Sequence, residues 1–101
     1  MTLKTREFDP ARYLDSEDAI DEYILAASES GDPHELAAAL GVVAKARGIT
    51  EVARKSGLTR QAIYKALDED GNPELGTIAR VADALGFKLS LVPKSAITKA
   101  A

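Results

Sequence analysis

The chain has 101 residues, of which 46 % are hydrophobic and 29 % charged, with no cysteine and a net charge of −3. That length fits one domain with one modest core, and the lack of cysteine excludes disulfides, thiol chemistry and zinc fingers built on thiolates. No apolar run approaches the ~20 residues of a membrane helix, and the opening MTLKTREFDPARYL lacks the apolar core of a signal peptide, so a cytoplasmic protein with no membrane partner is expected.

Residues 1–15 read as an extended leader, since Asp9-Pro10 breaks any helix. Phe8, Tyr13 and Leu14 are large apolar groups in that polar segment. They either fold back on the core or grip a partner protein. A first helix is predicted from about Ser16. Asp15 or Ser16 can cap it, and Glu17, Asp18 and Asp21 suit the positive end of the helix dipole. Its apolar stripe is Ala19, Ile20, Tyr23, Ile24 and Ala27, and Gly31-Asp32-Pro33 ends it. A second helix should run from Pro33 or His34 to Arg47 and bury Leu36, Ala37, Leu40, Val43 and Ala44. Lys45 and Arg47 suit its negative end, and Gly48 stops it.

The segment from Thr50 to Leu67, TEVARKSGLTRQAIYKAL, reads as two short helices joined by a tight turn. Thr50 is the expected cap of the first, and Gly57 supplies the left-handed residue after its last turn. Leu58 packs behind the turn and Thr59 caps the second helix. Ala62, Ile63, Ala66 and Leu67 then recur at steps of three and four along one face. Arg60, Gln61, Tyr64 and Lys65 remain for the other face, and none is acidic. Such a helix-turn-helix suits the major groove of DNA. Arg60 can fork to guanine O6 and N7, and Gln61 can pair with adenine N6 and N7. Thr50, Lys55 and Tyr64 are placed for phosphates, as is Asn72 in the loop beyond. The competing readings are rim packing for Tyr64 and a plain turn residue for Asn72.

Gly71, Asn72 and Pro73 mark that loop, and a fifth helix is expected over 74–85, burying Leu75, Ile78, Val81, Ala82 and Leu85. In the following FKLSLV, Phe87, Leu89 and Leu91 alternate with Lys88 and Ser90, the pattern of a half-buried strand. A lone strand must pair within the chain, with a twin or with another protein. Pro93 stops it, and residues 94–101 read as a frayed tail.

Charge is unevenly spread. Residues 1–35 carry three basic against ten acidic side chains, net −7, whereas residues 36–65 carry six basic against Glu51 alone, net +5. The positive share falls on and just before the candidate reading helix, the footprint of a DNA-facing surface. Enzyme chemistry is not expected. His34 is the one histidine, no phosphate-binding loop is present, and Asp68, Glu69 and Asp70 are adjacent acids without further ligands. No catalytic residue, metal or cofactor is assigned.

The run of short helices around Gly57 resembles the lambda-repressor-like DNA-binding domain. The leader FDPARYLDSEDAIDEYI, the stretch ELAAALGVVAKARGITEVARKSGLTRQAIYKAL, the loop GNPELGTI and the tail VADALGFKLSL together are similar to the probable addiction module antidote proteins, HigA-like antitoxins of bacterial toxin–antitoxin pairs. The resemblance covers about residues 6–92. It implies an all-α, five-helix domain over 16–92 with one short C-terminal β-strand, flanked by the leader 1–15 and a tail 93–101. It also implies a cognate toxin of the RelE/ParE-like class and repression of the shared operon. By the same resemblance the DNA-reading residues are Thr59, Arg60, Gln61, Tyr64 and Lys65. The acidic leader, with Phe8, Tyr13 and Leu14 as anchors, is then the expected toxin contact, because opposite charge steers association with a basic partner. A homodimer is expected because operators mirror the two-fold of their proteins, with Phe87, Leu89 and Leu91 at its contact. Two other readings are a phage-type regulator with no toxin partner and a protein-interaction module that has lost DNA binding.

Overall fold

The structure is a computed structural model and describes residues 16–68 and 72–95. The leader, with Phe8, Tyr13 and Leu14, lies outside the described residues. Five helices follow one another among them: α1 (Glu17–Glu29), α2 (Pro33–Arg47), α3 (Ile49–Ser56), α4 (Arg60–Ala66) and α5 (Leu75–Ala84).

Local chemistry fixes most of the boundaries. Ser16 Oγ accepts from the Ala19 amide at 3.1 Å, and Glu17 and Asp18 occupy the first turn of α1. Asp32 caps α2 by accepting from the His34 amide at 2.9 Å, with Pro33 as the first helical residue. Both arrangements satisfy amides that a helix start leaves without partners. Gly48, at φ 107°, then ends α2 and begins α3.

That double role of Gly48 corrects the expected cap at Thr50. The Val52 amide donates to the Gly48 carbonyl at 3.1 Å, so α3 already starts at Ile49 and no side chain caps it. Thr50 lies exposed inside the first turn instead.

Gly57 has φ 76°, in the left-handed region, and its amide donates to the Ala53 carbonyl at 3.0 Å. A side chain there would strain the turn. Ser56 reinforces it: its hydroxyl donates to the Ala53 carbonyl at 3.3 Å and accepts from the Leu58 amide at 3.2 Å. Thr59 Oγ1 accepts from the Ala62 amide at 3.0 Å and starts α4 as its spacing predicts.

Helix α2 is the hub and packs against each of the other four; α5 also packs against α3 and α4. Leu40 and Val43 of α2, with Val52, Ile63 and Val81 of its neighbours, are the largest fully buried side chains of the shared core. Ile20 and Ile24 seal α1 onto it, and Leu67, Ile78 and Leu85 complete it. Leu36 and Leu58, expected inside, are half-buried at its margin. Gly41 matters for closeness: a Cβ there would meet Leu67 Cβ at 3.4 Å and its carbonyl oxygen at 3.5 Å.

Two further expectations are corrected. Leu75 is 75 % exposed. It shares the face of Ile78, Val81, Ala82 and Leu85 but is the first residue of α5 and edges a surface cleft without joining the core. Residues 87–92 form no strand among the described residues. The Phe87 amide closes the end of α5 by donating to the Ala82 carbonyl at 2.8 Å, and Phe87 packs against the core. Among the described residues no other segment pairs with it, and a strand without a partner has nothing to fix it.

Candidate nucleic-acid interface

The turn at Gly57 sets α4 so that Ile63 and Leu67 face inward, at 1 % and 8 % exposure. Helical spacing then sends Arg60, Gln61, Tyr64 and Lys65 outward, and all four are exposed. The face therefore offers a guanidinium, an amide, a phenol and an ammonium, and no carboxylate. Thr59 is exposed at its leading end. Its oxygen is engaged in capping, while its hydroxyl hydrogen is available to an outside acceptor. Lys55 is exposed in the last turn of α3 and Thr50 in its first.

The cations nearby are not equivalent. Arg54 forms a two-pronged pair with Glu51, its Nε donating to Oε1 at 3.4 Å and its Nη2 to Oε2. This hydrogen bond, with the neighbouring positive charge, holds Glu51 below the usual carboxylate range and raises Arg54. Arg47 is paired with Glu17 at 2.9 Å. No ion pair engages Lys45, Lys55, Arg60 or Lys65 among the described residues.

A cleft of about 390 Å³ runs between α2 and α4, lined by Gly41, Lys45, Ile49, Tyr64, Leu67 and Asp68 among others. It brings Lys45 of α2 alongside Tyr64 of α4. Sequence reasoning placed Lys45 only at a helix end and missed this. The available signal was the spacing of Ala38, Gly41, Val42 and Lys45 at three- and four-residue steps, which turns all four toward one neighbour. Asn72 is not part of this grouping. It lines a second cleft of about 300 Å³, with Pro33, His34, Leu36, Pro73, Leu75, Ile78 and Leu89, beside the starts of α2 and α5. Of the expected dimer residues, Phe87 is half-buried against the core, while Leu89 and Leu91 are exposed.

Among the described residues no group of three or more histidines, cysteines, aspartates or glutamates could hold a metal ion. Nor is any described helix long and apolar enough to cross a membrane.

Fold and site together define a small protein, helical throughout the regular elements of its described residues, that offers solvent a helix face rich in hydrogen-bond donors. The chain belongs to the family of probable addiction module antidote proteins, whose sequence model matches residues 4–93. That family is one of antidotes, or antitoxins, of addiction modules, which suggests a regulatory role and implies a cognate toxin as partner. An uncharacterised protein of Haemophilus influenzae is 34 % identical over 91 residues, spanning 90 % of this chain and 94 % of the relative. No solved structure matches the chain.

Proposed function

We propose that α3 and α4 form a helix-turn-helix of the lambda-repressor-like kind, HigA-like in its antitoxin role, that binds operator DNA and represses the operon encoding this protein and its toxin. The carrying observation is the exposed face of α4, with Arg60, Gln61, Tyr64 and Lys65 and no acid. The first turn of α4 enters the major groove, so Arg60 and Gln61 read base edges. Thr50, Lys55, Thr59, Tyr64 and Lys65 take phosphates, and Lys45 extends that set across the cleft. Asn72, in its separate cleft, reaches phosphate only at the margin of the site.

The toxin is of the RelE/ParE-like class, basic, and held by the acidic leader through Phe8, Tyr13 and Leu14. The operator-bound form is a cytoplasmic homodimer with segment 87–92 at its contact, since one such helix pair covers only a few base pairs. A gel-shift with the DNA upstream of the protein's own gene tests the reading. A retarded band that survives excess nonspecific duplex and is lost in Arg60→Ala supports it; equal affinity for operator and scrambled duplex overturns it in favour of a protein-interaction module. Co-expression with the product of the adjacent gene tests the antitoxin half: rescue of growth separates it from a phage-type regulator.

A further inference from the structure

We infer that two copies of this chain dimerise by exchanging C-terminal arms, Leu91 and Val92 of each copy seating in the cleft between the α2 and α5 N-termini of the other. The inference rests on the homodimer reading.

The cleft walls are mostly apolar, with Pro33, Leu36, Pro73, Leu75, Ile78 and Leu89, and His34 and Asn72 are its polar members. Leu75 stands 75 % exposed at its edge. Three of the wall residues have an exposed acid just before them: Glu35 before Leu36, Glu74 before Leu75, and Asp32 before Pro33, the last already engaged by His34. The arm from Phe87 to Pro93 is the complement. It bears Lys88 and no acid, and it ends in Leu91 at 98 % and Val92 at 57 % exposure. An apolar arm with a lysine thus faces an apolar cleft rimmed by carboxylates.

The arm does not fill its own cleft, since only Leu89 reaches it. Leu91 follows two residues later, at most about 7 Å along the chain, and remains in water. Donor leucine and acceptor cleft therefore lie side by side on one surface. That is the requirement of an isologous two-fold contact, in which the same patch serves both subunits. A two-fold axis near Leu89 places each Leu91 over the partner's cleft, and Lys88 then meets the partner's acidic rim. The mode also accounts for an alternating FKLSLV segment that forms no ladder among the described residues.

Sedimentation equilibrium on the full chain tests this. Leu91→Asp removes the donor and Leu75→Asp spoils the acceptor, and both positions are exposed, so circular dichroism should stay unchanged. Leu25→Asp, at another leucine that is 59 % exposed but on α1, is the control. The expected result is a dimeric wild type and control, with Leu91→Asp and Leu75→Asp each weakened at least about tenfold. Mixing those two variants recovers dimer, because the cleft of one still accepts the arm of the other. Lys88→Glu also weakens the dimer, and Glu74→Lys in the same chain restores it. If the wild type dimerises but Leu91→Asp is unaffected, the exchange is overturned and another surface forms the dimer. If Leu91→Asp is weakened but Leu75→Asp dimerises like the wild type, direct arm-to-arm strand pairing replaces the exchange, and a mixture with no more dimer than either variant alone likewise overturns it. A wild type that is monomeric at tens of micromolar overturns the homodimer reading together with it.

Discussion

Arg47, in the last turn of α2, donates to Glu17, in the first turn of α1, with Nη2 and Oε1 2.9 Å apart. Each charge also opposes the dipole end of its own helix favourably. The pair ties the acidic N-terminal part of the described chain to the basic middle, and it removes one cation from the count available to DNA. Arg54 is likewise engaged by Glu51. Of the six basic side chains in residues 36–65, the four that remain are Lys45, Lys55, Arg60 and Lys65. A net charge taken from sequence therefore overstates the attraction, and the unpaired subset lies on α4 and its neighbours.

The two pairs predict opposite behaviour. Arg47→Ala should cost at most about 1 kcal/mol, as exposed pairs do, and leave DNA binding unchanged. Glu51→Gln should free Arg54 for phosphate and steepen the salt dependence of DNA binding by roughly one unit. Because Arg54 holds Glu51 below the ordinary carboxylate range, the folded-state pKa is depressed. The pair then persists above the unfolded pKa and is lost only as pH falls through the lower folded value. The Glu51→Gln effect should accordingly be constant through neutral pH. Affinity measured across salt and pH checks both statements; an unchanged slope would show that Arg54 already reaches DNA with Glu51 in place.

Ile63 is 1 % exposed at the centre of α4. Ile63→Ala should destabilise by ~2–5 kcal/mol, combining lost transfer energy with a cavity that close packing cannot collapse. A denaturant midpoint near the wild-type value would mean that the inward register of α4 is wrong, and the outward register of Arg60 and Gln61 with it.

Most of this architecture was legible because its determinants are local. Ser16, Thr59 and Gly57 act on residues within a few positions, and most of the apolar repeats of α2, α4 and α5 reach the core. Asp32, expected only at the end of α1 and not as the cap of α2, does cap α2. The misreadings have non-local causes. Thr50 looked like a cap because its composition fits one, but Gly48 had already turned the chain. Leu75 continues a helix stripe to the first residue of α5, outside the packed core. Segment 87–92 has strand alternation, which records what a segment can do with a partner and not whether the partner is in the same chain. Lys45 was overlooked as a site residue because its value depends on which helix packs beside it.

The leader should be separable from DNA binding. Deleting residues 1–15 removes Phe8, Tyr13 and Leu14 but none of the residues in α1 to α5. The truncated chain should keep its thermal midpoint and its affinity for operator, and should lose neutralisation of the toxin in a growth-rescue assay. Equal rescue by the truncated protein would move the toxin contact to another surface, first of all the segment 87–92.

The last prediction divides the α4 face by function. Arg60 and Gln61 are the first two residues of α4 after the Thr59 cap, the part of a recognition helix that meets base edges. Arg60→Ala and Gln61→Ala should each cost ~1–3 kcal/mol on operator and relax preference at one base pair. Lys55→Ala, Lys65→Ala and Lys45→Ala should instead weaken operator and scrambled duplex alike, each flattening the salt dependence by roughly one unit. Titrations of both duplexes at several salt concentrations distinguish the two classes, because a base contact changes the ratio of affinities and a phosphate contact changes the slope. Arg60 could behave as either, since a guanidinium forks to guanine and to phosphate with the same geometry. If Arg60→Ala loses affinity equally on both duplexes with a flattened slope, Arg60 positions the protein, and base reading falls to Gln61 alone in that first turn.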